Sequence, residues 1–264
     1  MNMKKKTGLW VIIFTALAFL NCYQDDNKRY GINGDFGNTA VGKDTIDAVQ
    51  LIIITTNGWN EVKGTMRCYE KKGHLWNLIF SNPVVVGING MGVGFGIMSF
   101  DLENTPLKKE GDLRAPAGIF KIGTAFGYAV KNEVSWLKVP YLEATNSLLC
   151  IDDGNSSHYN KFVYSDNTRK DWNSNEEMHR KDNMYKWGLL VEHNYASPET
   201  GKGSCIFLHI WKSCSKGTAG CSAMQESDIL KLLKWVDSAK KPLLIQFPKK
   251  EYDYVAKKIN LPVF

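Results

Sequence analysis

The chain has 264 residues, of which 44% are hydrophobic and 12% are aromatic. This apolar content excludes an intrinsically disordered chain, and the length fits one domain of ordinary size or two small ones. The formal net charge is +6, but three of the 33 basic residues lie in an N-terminal segment that we expect to be removed. The remaining 30 basic residues face 27 acidic ones. This mild excess, without an arginine-rich run, argues against nucleic acid as a partner.

Residues 1–21 are predicted to be a lipoprotein-type signal peptide. In "MNMKKKTGLWVIIFTALAFLNC" three lysines precede an apolar run from Leu9 to Leu20. At 1.5 Å per residue this run cannot span a bilayer core of about 30 Å, but it fits the apolar region of a secretory signal. Its end, "LAFLNC", resembles a bacterial lipoprotein signal in which Cys22 is lipidated, although Phe19 and Asn21 depart from the usual pattern. An uncleaved signal anchor is the alternative, and both predict an exported protein.

The rest of the chain is predicted to form a tether and one mostly β domain. Residues 22–46 are polar and glycine-rich, which is typical of a flexible tether. From Ala48 onward, short runs rich in Val, Ile and aromatic residues alternate with turn residues, which predicts a β-sandwich over residues 47–264. The predicted strands are "AVQLIIITT", "GTMRCYEKKG", "HLWNLIF", "NPVVVGING", "GIFKIGTAFGY", "LLCIDDG", "WGLLVEHN", "CIFLHIW" and "PLLIQFP".

Two or three short helices are expected beside the strands, and two segments have helical signals. "SNEEMHRKDNMYKW" begins with Ser174 and Glu177 at the spacing of a capping box. "QESDILKLLKWV" has an acidic first turn and one apolar face, which consists of Ile229, Leu232, Leu233 and Val236.

The cysteines suggest both disulfides and a free thiol. In an oxidising compartment spare thiols are candidates for disulfides. Without Cys22 the chain keeps five cysteines, so at least one cannot pair within the chain. Cys205 and Cys214 are candidates for pairing with each other, with Cys150 or with Cys68, and the sequence does not choose among these pairings.

Cys221 and His209 are the best candidates for nucleophilic chemistry. A cysteine attacks only as a thiolate and therefore needs a base nearby. In the strand "CIFLHIW" His209 shares a face with Cys205 and Phe207, while the aliphatic residues point the other way, towards the expected core. The small-residue turn "TAGC" can expose the Cys221 sulfur and leave the amides of Gly220 and Cys221 free to face an oxyanion.

Two motifs carry a family resemblance. "HIWKSCSKGTAGC" resembles the catalytic signature of the L,D-transpeptidase (YkuD-type) domain, in which Ser/Thr-x-Gly-Cys follows a histidine. "EGDLRAPAGIFKIGTAFGY" resembles the upstream Gly-x-x-x-Thr-Pro-x-Gly-x-Phe stretch of the family. The matching positions are Gly111, Pro116, Gly118, Phe120, Thr218, Gly220 and Cys221. With the flanking strands, the resemblance covers nearly all of residues 48–248.

This resemblance implies a sandwich-like β fold and acyl transfer on peptidoglycan stem peptides. It implies that Cys221 attacks the carbonyl of the third stem residue and expels D-Ala, with His209 as its base and Gly220 in the oxyanion hole. The acceptor would be an amine or water, and no cofactor is implied. The family histidine is typically oriented by a backbone carbonyl, so no carboxylate is expected as a third member.

The sequence departs from the family in the spacing of its signature and in the residues that would hold the substrate. Ala115 stands where Thr is usual, and the spacer between His209 and Cys221 is short. Ser222 and Ala223 stand where an apolar residue and an arginine are common. Other cations must then hold the carboxylates of the substrate, and the candidates are Arg180, Lys212 and Lys216. Glu192 and His193, at a strand end, are further candidates for substrate binding.

Two alternatives belong to other functional classes. Cys205, His209, Cys214 and Cys221 have the composition of a Cys₃His structural zinc site, although no Cys-x-x-Cys pair anchors the set. The second alternative is a non-catalytic wall-binding lipoprotein of the same fold, suggested by the residues that follow Cys221.

Overall fold

The computed structural model describes residues 46–100 and 102–264. The predicted signal peptide, Cys22 and nearly all of the predicted tether lie outside the described residues. Thirteen strands and two α-helices occur within the described ranges. The strands are β1 (Gln50–Thr56), β2 (Lys63–Lys72), β3 (Leu75–Val85), β4 (Met91–Val93), β5 (Ala115–Gly127), β6 (Tyr141–Glu143), β7 (Leu148–Cys150), β8 (Phe162–Tyr164), β9 (Glu176–Glu177), β10 (Trp187–Val191), β11 (Phe207–Ile210), β12 (Ser222–Met224) and β13 (Leu243–Pro248). The helices are α1 (Glu226–Trp235) and α2 (Lys249–Ile259).

The main sheet folds back on itself around the core. Its strand order is β10-β11-β12-β3-β2-β1-β13-β5-β4, and β6 also pairs with β5. The long strand β5 pairs with β13 along its first part and with β10 along its second, so the path returns to its starting strand. A small second sheet has the order β8-β7-β9. The mostly β fold predicted from the strand pattern is confirmed.

Two apolar layers lie on opposite sides of the strands that hold the site. The larger is built on β1, whose seven residues are all buried, and takes in Ile206 and Leu208 together with the buried faces of α1 and α2. The smaller contains Cys205, Phe207 and Cys221. Alternate residues of "CIFLHIW" therefore face different layers, as the alternation of side chains along a strand predicts.

The helix predicted from Ser174 is wrong. Glu176 and Glu177 instead form β9 and pair with Cys150 and Leu149 of β7, and most of the remaining segment is turns. Asn183 has a left-handed backbone (φ +59°), which breaks a helix. Pairing with β7 therefore overrides the local capping-box signal.

The second predicted helix is confirmed as α1, and α2 was not predicted. Its buried residues, Tyr252, Val255, Ala256 and Ile259, follow helical spacing. Pro248 precedes it and Asn260 ends it in a left-handed conformation, which are ordinary boundary signals. None of the described helices is both long and apolar enough to cross a membrane.

Candidate active site

A cavity of about 350 Å³ contains most of the residues singled out in the sequence. Cys221, His209 and Gly220 line it. The three candidate cations, Arg180, Lys212 and Lys216, line it as well. We call this cavity the Cys221 cleft.

Adjacent parallel strands bring the candidate nucleophile and base to the same cleft. β11 carries His209, and β12 begins directly after Cys221. The two strands pair with Leu208 opposite Ser222 and His209 opposite Ala223. The connecting loop is held by the Thr218 N–H, which donates to the Val86 carbonyl (3.0 Å), and by the Thr218 carbonyl, which accepts from the Ile88 N–H (2.9 Å).

His209 is oriented by a backbone carbonyl. Its side chain is buried, and Nδ1 lies 2.8 Å from the carbonyl oxygen of Ile210. Because a carbonyl oxygen only accepts, Nδ1 carries the hydrogen and Nε2 is left as the acceptor. Burial lowers the pKa of His209 to about 4, although the hydrogen bond to Ile210 acts in the opposite direction. The imidazole is therefore neutral at neutral pH and has the tautomer that a general base needs.

Cys221 is a buried, protonated thiol. Its sulfur accepts a hydrogen bond from the Phe207 N–H (3.3 Å) and donates to the carbonyl oxygen of Cys205 (3.6 Å). Burial raises the pKa of Cys221 well above that of an ordinary thiol. The thiol hydrogen therefore points at a backbone carbonyl in this state, and it must turn away from Cys205 before a base can take it.

The turn before Cys221 requires glycine at position 220. Gly220 has φ +156°, and a Cβ there would lie 3.3 Å from the carbonyl oxygen of Arg114. Its N–H donates to Oγ1 of Thr218 (3.2 Å), and that hydroxyl donates to the Cys221 carbonyl (2.6 Å). The Gly220 amide is thus engaged, which differs from the expectation of two free amides at this turn.

A disulfide links the cleft to the small sheet. Cys205 is bonded to Cys150 of β7 and lines the cleft. This excludes pairing of Cys205 with Cys214 or Cys68, and among the described residues Cys68 and Cys221 are free thiols. The Cys₃His zinc alternative is wrong, because a sulfur in a disulfide is not a thiolate ligand.

The family comparison identifies the domain. The family model of the L,D-transpeptidase catalytic domain, YkuD, matches residues 59–245. The chain belongs to the YkuD L,D-transpeptidase family. The sequence-based recognition of this family is thereby confirmed.

Distant structural likenesses accompany the family match. The helical cell shape determining protein Pgp2 from Campylobacter jejuni is 13% identical, with a TM-score of 0.39, and the match covers 78% of this chain and 52% of that one. Bd1075 from Bdellovibrio bacteriovorus is 14% identical, with a TM-score of 0.38, and the match covers 80% of this chain and 54% of that one. The chain thus spans about half the length of these structures. No curated protein gave a match.

Ser222 and Ala223, which depart from the family pattern directly after Cys221, are both buried. Ser222 is buried, and its hydroxyl donates to Oε1 of Gln246 (2.7 Å). Gln246 in turn donates to the carbonyl of Pro116 (2.7 Å). Ala223 is fully buried between β11 and β3. Ser222 and Ala223 therefore connect neighbouring strands in the interior of the domain. The positive charge of the cleft comes from other segments of the chain.

Two of the predicted substrate-binding residues lie elsewhere. Glu192 lines a separate cavity of about 630 Å³. His193 is buried, with Nδ1 accepting from the Phe95 N–H (3.2 Å) and Nε2 3.0 Å from the carbonyl of Lys202. Burial lowers the pKa of His193 to about 4. Both follow the end of β10, and neither lines the Cys221 cleft.

The cleft also contains polar residues that sequence reasoning missed: Lys108, Glu110, Glu176 and Tyr185. Lys108 is buried, and its ammonium group lies 2.5 Å from Asp112. The Tyr185 hydroxyl donates to Glu176 (2.5 Å). No local motif marks these side chains, because segments far apart in sequence bring them to the cleft.

Proposed function

We propose that this protein is an exported cysteine acyltransferase, an L,D-transpeptidase or L,D-carboxypeptidase with Cys221 as its nucleophile. The YkuD family acts on peptidoglycan stem peptides in general. The observation that carries the proposal is that Cys221, a free thiol, lines the same cleft as His209, whose Nδ1–H is held by the Ile210 carbonyl so that Nε2 is the available base.

The proposed reaction has two acyl-transfer steps. Nε2 of His209 takes the thiol proton while Sγ of Cys221 attacks the carbonyl carbon of the third stem residue. The tetrahedral intermediate collapses, the bond to the nitrogen of D-Ala breaks, and His209 returns the proton to that nitrogen. An acceptor amine or water then attacks the thioester with His209 as the base and releases the thiol. No cofactor enters these steps.

The electrostatics favour proton transfer during attack over a preformed ion pair. Burial lowers the pKa of His209 to about 4 and raises the pKa of Cys221, so both groups are neutral before the substrate binds. The imidazolium that forms is stabilised by its Nδ1–H bond to the Ile210 carbonyl. To bind the oxyanion, the Gly220 N–H must first release the hydroxyl oxygen of Thr218. Its hydrogen bond to that oxygen, at 3.2 Å, is longer than the usual N–H···O distance of about 2.9–3.0 Å.

The cations of the cleft are proposed to hold the carboxylates of the stem peptide. Arg180 is paired with Asp182 (2.6 Å), which neutralises part of its charge. Lys212 and Lys216 are exposed and line the same cleft. We assign the larger share of substrate attraction to these two lysines.

Export and membrane attachment are part of the proposal. The Cys150–Cys205 disulfide supports export, because disulfides form and persist in oxidising compartments. Lipidation of Cys22 would attach the domain to a membrane at the periplasmic face or the cell surface.

A non-catalytic wall-binding lipoprotein is the second candidate. The observations that favour it are the buried, protonated thiol of Cys221 and its bond to the Cys205 carbonyl. Such a protein would bind stem peptides through the cations of the cleft and would form no thioester.

Product analysis distinguishes the two candidates. The purified full-length protein is incubated with a disaccharide-tetrapeptide, and products and intact protein are analysed by mass spectrometry. We expect a cross-linked dimer or a tripeptide, and an acyl-enzyme mass, all of which disappear in Cys221→Ala. The matched control is Cys68→Ala, which removes the other free, buried thiol of the described chain and should keep the activity. Binding without products or an acyl-enzyme would favour the wall-binding protein.

A further inference from the structure

Tyr185 and Glu176 form a hydrogen-bonded pair inside the Cys221 cleft. The Tyr185 hydroxyl donates to Oε2 of Glu176 at 2.5 Å, and both side chains line the cavity beside Cys221 and His209. Glu176 lies in β9 and Tyr185 lies nine positions later, in the turns before β10, and the sequence alone predicts this stretch as a helix. The pair exists because the segment folds as turns instead.

The Tyr185 ring is fixed against the candidate base. Its centroid is 5.0 Å from that of His209 in an edge-on arrangement of 76°. Phe207 and Phe126 pack edge-on against the same ring at 5.6 and 5.7 Å. On another side, the guanidinium carbon of Arg180 lies 5.0 Å from the ring centroid. With only 5% of its surface exposed, Tyr185 has little freedom to swing away from the imidazole.

Glu176 changes charge near neutral pH. Burial of its carboxyl group raises its pKa to about 7, against the hydrogen bond from Tyr185. The other charged groups that face it are the carboxylates of Asp152 and Glu110, which raise the pKa further, and the guanidinium of Arg180, which lowers it.

Glu176 and Tyr185 also affect the pKa of Cys221, and they do so in opposite directions. After burial, the charge of Glu176 is the next largest cause that raises the pKa of Cys221. The bond from the Phe207 N–H lowers it most, followed by the charge of Lys108 and by the nearby Tyr185 hydroxyl, which in this state donates to Glu176.

The single hydrogen of the Tyr185 hydroxyl connects these two effects. When Glu176 is ionised, its carboxylate accepts that hydrogen. When Glu176 is protonated, its carboxyl group donates to the Tyr185 oxygen, and the hydroxyl hydrogen is free to turn to the sulfur. Both the lost charge and the new bond then favour the thiolate.

We infer that Tyr185 and Glu176 are positioning residues of the Cys221–His209 pair, in which Tyr185 holds the imidazole and supports the thiolate, and the protonation state of Glu176 controls how readily the thiolate forms. This inference rests on the proposed function, because it assigns roles at the same site.

The test measures the thiol directly and needs no turnover. The rate of alkylation of Cys221 by iodoacetamide is followed between pH 6 and 9 by peptide mass spectrometry, which separates Cys221 from Cys68. Glu176→Gln removes the charge, and we expect alkylation at pH 8 to be about three- to tenfold faster, as for a thiol pKa lowered by half to one unit. Tyr185→Phe removes the hydroxyl that turns to the sulfur when Glu176 is protonated, and we expect alkylation at pH 6 to be about threefold slower.

A second tyrosine–glutamate pair provides the matched control. The Tyr159 hydroxyl donates to Glu110 at 2.6 Å, and Tyr159 does not line the Cys221 cleft. Tyr159→Phe therefore loses the same kind of bond, while Glu110 keeps its charge and its bond from the Ser204 hydroxyl (2.8 Å), so the alkylation rate should be unchanged.

Several outcomes would overturn the inference. If Glu176→Gln and Tyr185→Phe changed the alkylation rate of Cys221 in the same direction, the cause would be a general loosening of the cleft. An effect of Tyr159→Phe equal to that of Tyr185→Phe would also indicate such loosening. Should Tyr185→Phe fail to fold, the comparison of Glu176→Gln with the wild type decides, and an unchanged rate at pH 8 contradicts our inference. A protein that shows the expected thiol rates but makes no acyl-enzyme would contradict the proposed function and leave this inference standing.

Discussion

Replacing His209 by Gln should remove a defined part of the pH dependence of stability. The imidazole of His209 is buried, and burial lowers its pKa from 6.5 to about 4. The unfolded chain therefore binds a proton at this residue between pH 6.5 and 4 that the folded protein excludes. The free energy of unfolding is highest above pH 6.5 and decreases as the pH falls towards 4.

The magnitude follows from the two pKa values. At pH 5 the histidine of the unfolded chain is almost fully protonated and that of the folded protein almost fully neutral. The linkage relation then lowers the free energy of unfolding by about 2 kcal/mol relative to pH 8. A folded pKa one unit higher lowers this value by about 0.4 kcal/mol, and one unit lower raises it by less than about 0.1 kcal/mol, because pH 5 is not below the folded pKa in either case.

Other buried groups also make the free energy of unfolding depend on pH, so the contribution of His209 must be measured as a difference between the wild type and a variant. His193 has the same lowered pKa and contributes a loss of the same sign. Glu176 acts in the opposite direction, because its folded pKa is raised to about 7 and its destabilising ionisation is relieved as the pH falls. The pH dependence of the wild type alone therefore does not isolate His209.

Urea unfolding at pH 8 and pH 5 is the assay, applied to the wild type, His209→Gln and His193→Gln. We expect the decrease from pH 8 to pH 5 to be about 2 kcal/mol smaller in each variant than in the wild type. Gln can still donate to the Ile210 carbonyl, which limits the structural change at position 209. If His209→Gln showed the full wild-type decrease with an unchanged m-value, the imidazole would not be a buried neutral base.

Three further changes test the structure around the cleft. Replacing both Cys150 and Cys205 by Ala opens a loop of 55 residues and should lower the free energy of unfolding in urea by about 4 kcal/mol, and a loss below about 1 kcal/mol would contradict the linkage. Gly220→Ala places a Cβ 3.3 Å from a backbone carbonyl at φ +156°, so we expect a cost of about 1–3 kcal/mol and a lower kcat, and unchanged stability and turnover would refute the argument. Ser222→Ala leaves the buried Gln246 oxygen without its donor and should cost about 1–3 kcal/mol in thermal or urea unfolding, whereas a neutral effect would show that this oxygen finds another partner.

Periodicity was sufficient for the fold class and for the face of its strand on which His209 lies. The alternating strand of residues 205–211 put His209 on the face opposite Ile206 and Leu208, and the structure confirms that arrangement. The apolar face of α1 was equally readable. These features depend on neighbours a few residues apart, and backbone geometry converts such spacing directly into a shared face.

The remaining features of the site depend on contacts between distant segments. Glu176 pairs with β7, so a segment with a helix-capping signal becomes the turns that carry Tyr185 into the cleft. The choice of Cys150 as the partner of Cys205 depends on the same small sheet. The free energy of a local capping bond is about 1 kcal/mol, which strand pairing and burial together exceed. Contacts across the fold therefore settled what lines the cleft, because many long-range contacts outweigh one short-range preference.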